Sequence, residues 1–518
     1  MNMRILLLRP PRYVWPFNSE TSAFWQPLGF LSLAAAIRRK IPQVEIQLWD
    51  CPAEKCGWQT LQRRLAEQPI DVLGIGEETV SAHEAIRAAQ GVKKLYPNSL
   101  VVAGGMYFSY TIEESLTTVD IDVIVRGEGE KTLSQLLGNL TDRSAWHEIP
   151  GIAFRDEQKR VVITPGRKLI PDLDRLPFPA YDLIDMQNYG CRSRNHPCLV
   201  SIEHSRGCID SCDFCILWKH MGQSVNGNGR FRPCWRTKSP QRSFAEVQRL
   251  VRDFDRRTFG WVDPTFNARP EWSDEWSDLM LRSNLVTARG PKTVHTAWLR
   301  ADGVVRDEKL GILEKLVRAG LRQVMIGIER DDDSGLACLH KTNNHLDICR
   351  EAFAIFRENY PEVYTIGTMI YGLPGDTADD LKRLASRQYE MGVDYCFMIP
   401  LTPNPGTVVA QRAARDGYLT NTDRSSYNFH TPICRTDTLT VRDLENLYWK
   451  LMFRPDAQGL LRGLKIFFSE RNRRKRKVHL SLLRHGTRIA AKSLSRRIFH
   501  SRNPKPSHYS RRPSWYDK

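Results

Sequence analysis

The sequence has no uninterrupted apolar run of about 18 residues, so a membrane-spanning helix is not expected. It opens Met1-Asn-Met-Arg and runs straight into Ile5-Leu6-Leu7-Leu8 without a signal-peptide cleavage region, which points to a cytoplasmic protein. Cysteine is sparse, with twelve in 518 residues. Without a secretion signal a disulfide framework is a poor reading of them and metal ligation a better one. Short-period repeats and coiled-coil heptads are absent, which excludes solenoids and long fibrous helices. Acidic residues are scarce at one end only. From Arg471 to Lys518 there are sixteen Lys or Arg against the single acid Asp517, so this segment carries nearly all of the net charge of +17. The basic balance therefore describes the tail and not the body.

A hydrophobic fraction of 41% and a charged fraction of 26% suit a globular protein, and the length is too great for one core. Over residues 1–145 apolar runs at Ile5–Leu8, Val44–Trp49, Val72–Ile75, Leu100–Ala103 and Val123–Val125 alternate with helical patterns at Leu28–Arg39, Ala82–Tyr96 and Lys131–Leu140. Strands separated by helices predict a parallel, doubly wound α/β sheet that binds ligands in the loops beyond its strands' carboxyl ends. Three such loops are Gly76–Ser81, Gly104–Tyr110 and Arg126–Glu130. Residues 146–195, rich in proline, read as a linker. A second series over 196–415 has strands at Cys198–Glu203, Thr258–Val262, Thr293–Leu299, Gln323–Ile328, Thr365–Ile370 and Tyr395–Ile399, with helices at Phe244–Arg256, Asp307–Ala319 and Leu346–Asn359. Six β/α repeats predict a partial barrel. Residues 416–518 read as a helical extension with a basic tail, partly disordered from Asn503.

The densest chemistry is Ser205-Arg-Gly-Cys208-Ile-Asp-Ser-Cys212-Asp-Phe-Cys215, a C-x3-C-x2-C run beyond an apolar strand. Soft thiolates select zinc, Cu(I) or iron–sulfur clusters. Structural zinc takes four ligands, usually as two pairs, and no partner pair follows. A [4Fe–4S] cluster usually has four thiolates, and three leave one iron open to substrate. Zinc with a distant fourth ligand is the alternative.

C-x3-C-x2-C after the first strand of a six-repeat barrel resembles the radical S-adenosylmethionine (SAM) superfamily. The resemblance covers roughly residues 196–415, where Thr296–Asp302, Ile326-Gly-Ile-Glu329, Gly372-Leu-Pro-Gly-Asp376 and Pro400–Thr407 look like its strand ends and turns. It implies a [4Fe–4S] cluster on Cys208, Cys212 and Cys215, with SAM at the open iron and Glu329, Arg300 and Asp263 as cofactor contacts. It also implies an external electron donor of flavodoxin or ferredoxin type. The usual Gly-Gly-Glu is missing, and Trp261-Val-Asp263-Pro-Thr-Phe266 stands in its place.

Met3–Asn139 resembles the cobalamin-binding domain that precedes many such barrels. The matching pieces are Arg9-Pro-Pro11, Gln26-Pro-Leu-Gly29, Asp71–Ile75, Ala103-Gly-Gly105 and Val125–Glu130. This implies Gly104, Gly105, Thr79 and Glu128 as cofactor contacts. The Asp-x-His-x-x-Gly signature is absent, so cobalamin is expected without a histidine on cobalt, and His83 reads as a helix-surface residue. Tyr13–Trp15 and Phe24-Trp25 read as core ahead of a pocket wall, and Trp218-Lys-His220 as a wall beside the cluster. Together the resemblances imply methylation of an unactivated carbon in a secondary metabolite, lipid or tetrapyrrole. The alternative is a cyclase, ring-contracting or oxidative enzyme like the anaerobic magnesium-protoporphyrin monomethyl ester cyclase. Gly459–Phe468 and Val478–Ile498 mix apolar and basic residues, which suits an anionic membrane surface better than nucleic acid, because no nucleic-acid-binding fold accompanies them.

Overall fold

The computed structural model describes residues 3–12, 25–76, 78–189, 199–225, 230–341 and 345–452, together with a few residues beyond, among them 514–518. Tyr13–Trp15, Phe24, Cys198 and most of the basic stretches lie outside these.

Five strands of the first unit, Arg4–Arg9, Glu45–Asp50, Val72–Gly76, Leu100–Gly104 and Val123–Val125, pair in parallel. Their apolar runs are buried on both faces by helices, as parallel sheets require. The spatial order runs second, first, third, fourth, fifth. The chain therefore reverses direction between Arg4–Arg9 and Val72–Gly76. Ligands bind at such a reversal, beyond the strands' carboxyl ends. Arg12 bridges it by donating from Nη1 to Ser81 Oγ at 3.0 Å.

The linker is more structured than its prolines predict. Ile152–Arg155 and Val161–Ile163 add to the first sheet as antiparallel strands, giving seven. Each strand is only three or four residues long, too short for a period-2 signal.

The second unit is a six-stranded parallel sheet in sequential order: Leu199–Ile202, Thr258–Trp261, Val294–Leu299, Leu321–Glu329, Tyr364–Tyr371 and Tyr395–Pro400. This is the partial barrel that the repeats predict. Helix Pro240–Phe254 starts where Ser239 Oγ accepts from Arg242 N at 3.1 Å and proline occupies the first turn. The expected helix Asp307–Ala319 is two helices, Ala301–Lys309 and Ile312–Arg318. They break at Gly311, whose φ of 71° only glycine adopts readily.

One apolar cluster runs from the first sheet through Ala180, Tyr181 and Met186 into the barrel shell, so the two units share a core. Among the described residues no helix is long and apolar enough to cross a membrane.

Candidate functional site

Cys208 ends a short strand, Ser205–Cys208, that pairs antiparallel with Cys234–Thr237. The hairpin is closed by Gly207, where φ is 88° and a Cβ would stand 1.8 Å from the Cys234 carbonyl oxygen. Cys212 is buried, whereas Cys208 and Cys215 keep part of their surface open. The sulfurs receive donors suited to thiolates. Cys208 Sγ lies 3.4 Å from Thr265 Oγ1 and accepts from Asp210 N at 3.4 Å. The backbone N–H groups of Leu217 and Trp218 point at Cys215. Burial pushes the Cys212 thiol up to about 12 and the Cys215 thiol to about 11, while Lys341 pulls both down. Among the described residues no three His, Cys, Asp or Glu side chains converge as they would on one metal ion. A [4Fe–4S] cluster usually takes four thiolates, so the three on this loop would leave one iron open.

The loop is pinned on two sides. Arg300 holds Asp302 at 2.7 Å and also pairs with Asp210, between the first two cysteines. Behind the hairpin, Asp263 Oδ1 accepts from His204 N at 3.0 Å, Ser205 N at 2.5 Å and Ser205 Oγ at 2.7 Å. His204 Nδ1 stands 2.9 Å from the same oxygen, inside a box of Trp235, Trp261, Phe266 and Trp272. Asp263 is thus wholly interior and faces the backbone that carries Cys208. Glu329 sits at the mouth of the barrel with φ at 64°, where the register with the next strand shifts. Its Oε1 accepts from Lys341 at 2.6 Å, and Thr368 approaches Oε2 at 3.5 Å.

By strand alternation the inward face carries large apolar side chains beside the polar Thr296, Gln323 and Thr368. Val262, Trp298 and Trp25 are 42%, 37% and 41% exposed although they are large hydrophobic residues. Trp25 comes from the first unit and lies against Gly260, where a Cβ would stand 2.6 Å from its ring. Tyr395 and Phe397 stack edge-on below, at 4.8 Å. Tyr371 and Cys396 belong to the shell cluster under the helices.

The loops of the first sheet meet this mouth. Gly104 ends its strand and Gly105, with φ at 81°, starts the short helix Gly105–Tyr110. Two residues without side chains leave the strand end open to a flat ligand. Thr79 is buried in the turn Thr79–Ser81 beside it. Tyr110 packs on Gly406 of the barrel, on Lys219 and on His220, just after the cysteines. Lys219 Nζ donates to Gly406 O at 2.6 Å. Burial lowers His220 to about 4. Trp218–His220 therefore does wall the cysteine loop. His83 lies on a helix surface, with Nε2 3.2 Å from Glu84.

Glu128 takes no place in that opening. Its carboxylate accepts from Arg206 at 3.1 Å, Arg236 at 2.9 Å and Ile170 N at 2.7 Å. Sequence reasoning missed this lattice of Arg206, Arg236, Glu128, Glu130 and Glu203, whose members lie far apart in the chain. It also missed Lys341. The only available signal was the density of charge around the cysteine strand.

Comparison with known proteins agrees with this geometry. Residues 202–387 match the Radical SAM superfamily, and residues 16–137 match the B12 binding domain. The chain is 25% identical to an uncharacterized methyltransferase of Pyrococcus horikoshii, over 86% of this chain and 91% of that protein. It is 24% identical to the anaerobic magnesium-protoporphyrin IX monomethyl ester cyclase of Rubrivivax gelatinosus, over 85% of this chain and 75% of that one. The structure of the radical SAM methyltransferase TsrM from Kitasatospora setae, with cobalamin and a [4Fe–4S] cluster bound, superposes with a TM-score of 0.62 at 16% identity, covering 82% of this chain and 79% of that one. Within these two matched regions the cysteine loop opens onto the strand ends of the first sheet: the chain is an enzyme that carries a radical SAM domain behind a B12 binding domain.

Proposed function

We propose that this enzyme methylates an unactivated carbon of an apolar small molecule. The observation that carries the reading is the meeting, through Tyr110, Lys219 and Gly406, of the cysteine loop with the open strand ends of the first sheet. When bound, the cluster with SAM would supply a 5′-deoxyadenosyl radical, and cobalamin a methyl group. The protein supplies placement and exclusion of water. Cys208, Cys212 and Cys215 would hold the cluster, and Asp263 and Arg300 fix the loop that carries them. Glu329, neutralised by Lys341, offers an acceptor at the mouth for a SAM hydroxyl. Gly104, Gly105 and Thr79 would border the corrin.

Val262, Trp298, Trp25 and Phe397 give the inward face large apolar surface beside the polar Thr296, Gln323 and Thr368. Cys396, on strand Tyr395–Pro400, packs into the shell cluster. Such a wall suits a substrate that enters by an apolar, ring-bearing part. The reading calls for a flavodoxin- or ferredoxin-type donor. It also includes contact of Gly459–Phe468 and Val478–Ile498 with an anionic membrane surface, read by flotation with phosphatidylserine vesicles.

Anaerobic reconstitution with iron, sulfide and hydroxocobalamin, followed by turnover with SAM carrying a CD3 group and apolar candidates, tests the proposal. It expects an intact CD3 in product, with 5′-deoxyadenosine and S-adenosylhomocysteine both released. Similarity to the anaerobic cyclase favours one rival, oxidative ring formation. Substrate conversion without S-adenosylhomocysteine would decide for that rival.

A further inference from the structure

Residues Ser514–Lys518 return to the first unit and fill a seat there, although the polar composition after Asn503 predicts disorder. The seat is the start of helix Trp58–Glu67, whose first N–H groups have no acceptor within the helix. Trp58 N donates to Tyr516 O at 2.9 Å, and Thr60 N to Lys518 O at 2.8 Å. Thr60 Oγ1 donates to the same Lys518 oxygen at 3.0 Å. Gly57 makes the approach possible, because a Cβ there would stand 1.9 Å from the Trp515 carbonyl oxygen. Its φ of −87° and ψ of −177° are open to any residue, so the local backbone does not need glycine. Tyr516 is 4% exposed and lies edge-on to Trp58 at 6.4 Å, in one apolar cluster with Cys51, Cys56 and Leu61. Its hydroxyl donates to Glu84 Oε1 at 3.4 Å.

The position of the seat gives the contact its meaning. Gly57 follows the carboxyl end of strand Glu45–Asp50, and Glu84 follows that of Val72–Gly76. Both lie on the rim of the sheet that carries Thr79–Ser81, one of the turns assigned to the cofactor. We infer that Trp515 and Tyr516 form a latch that secures the Thr79–Glu84 rim, and that retention of cobalamin depends on it. The inference rests on the cobalamin reading above. Tyr516 and Gly57 act by position and touch no cofactor.

The test uses the full chain. Tyr516→Ala empties the seat, and Gly57→Val blocks it from the other side without straining its backbone. A photo-crosslinker replacing Trp515 is expected to capture the peptide that contains Thr60, and Gly57→Val is expected to abolish that capture. After reconstitution and desalting, visible absorbance reads bound cobalamin, and iron and sulfide content serve as the internal reference. Truncating a buried contact aromatic typically weakens a docked state about tenfold, so both variants should lose cobalamin about that much faster at unchanged iron content. Absence of the crosslink in the otherwise unaltered chain overturns the latch. So does cobalamin retention equal to wild type in both variants. If the wild-type chain takes up no cobalamin, the proposed function and the retention role fall together. Unaltered retention in the variants of a chain that does bind cobalamin sinks the latch alone.

Discussion

At the scale of single residues, the site depends on groups that touch no cofactor. Asp263 Oδ1 serves three donors of the strand leading to Cys208. Asp263→Asn keeps the shape but removes the charge and sets an amide among those donors. Weakening a buried charge-assisted set of this kind costs on the order of 1–3 kcal/mol. The expected result is a lower urea midpoint together with reduced iron per chain after reconstitution. Iron content equal to wild type would show that the hairpin holds Cys208 without Asp263. His295 gives a pH dependence. It is buried, accepts from Trp261 Nε1 at 3.2 Å and meets Thr293 Oγ1 at 3.0 Å, and burial lowers it to about 3. The fold therefore requires the neutral ring, while an unfolded chain protonates it near 6.5. Its contribution to stability is complete above 6.5 and declines as pH falls toward 3, by about 1.4 kcal/mol per unit. Urea midpoints from pH 7 to pH 5 should fall more steeply for wild type than for His295→Gln. Of these residues the sequence exposed the three cysteines, because thiolate spacing along a loop is local. It could not reveal the work of Asp263, which depends on a strand about sixty residues earlier.

At the scale of elements, the strands were legible to within a residue or two because both faces of a parallel strand are apolar. The barrel's six strands follow this rule, and helix Leu346–Asn359 shows its helical period through Cys349, Ala352, Phe353 and Phe356. The split at Gly311 was not legible, since both halves keep one helical period and only the backbone conformation separates them. A partial barrel also leaves an open edge at Leu199–Ile202, which nothing in the periodicity says how to cover. Gln26 of the first unit covers it. Its Nε2 donates to Leu199 O at 2.9 Å, and its Oε1 accepts from Ser201 N at 2.8 Å and Ser201 Oγ at 3.0 Å. The side-chain amide thus stands where a neighbouring strand would. Gln26→Ala removes the partner of two buried donors, Ser201 N and Ser201 Oγ, and of one buried acceptor, Leu199 O, each worth about 1–3 kcal/mol. The melting temperature should drop by several degrees, and the drop should exceed that of a substitution at the exposed Gln68. A change within error would mean that water or another residue seals the edge.

At the scale of the whole molecule, two units read from sequence as separate domains act as one body, joined beside the cysteine hairpin. Arg206 lies two residues before Cys208 and bonds Glu128, Glu130 and Glu203, while Arg236 ties Glu128 to Ile170 O of the linker at 2.7 Å. Motif reading takes Glu128 for a cofactor contact because its run ends a sheet strand, and its partners 78 and 108 residues later are invisible to any local pattern. Removing one partner of such a buried set costs about 3–5 kcal/mol, mostly because the remaining charges stay buried without compensation. Arg206→Met should therefore split thermal unfolding into two transitions, with the first unit melting ahead of the barrel and taking bound cobalamin with it. The origin of the loss can be separated by a second substitution. If stranded carboxylates dominate, Arg206→Met with Glu130→Gln is more stable than Arg206→Met alone, since one fewer negative charge lies buried. If lost attraction dominates, the double variant gains nothing over the single. Calorimetry of the three proteins at pH 7 distinguishes these outcomes, and a single transition at the wild-type temperature for Arg206→Met would show that the lattice does not couple the two units.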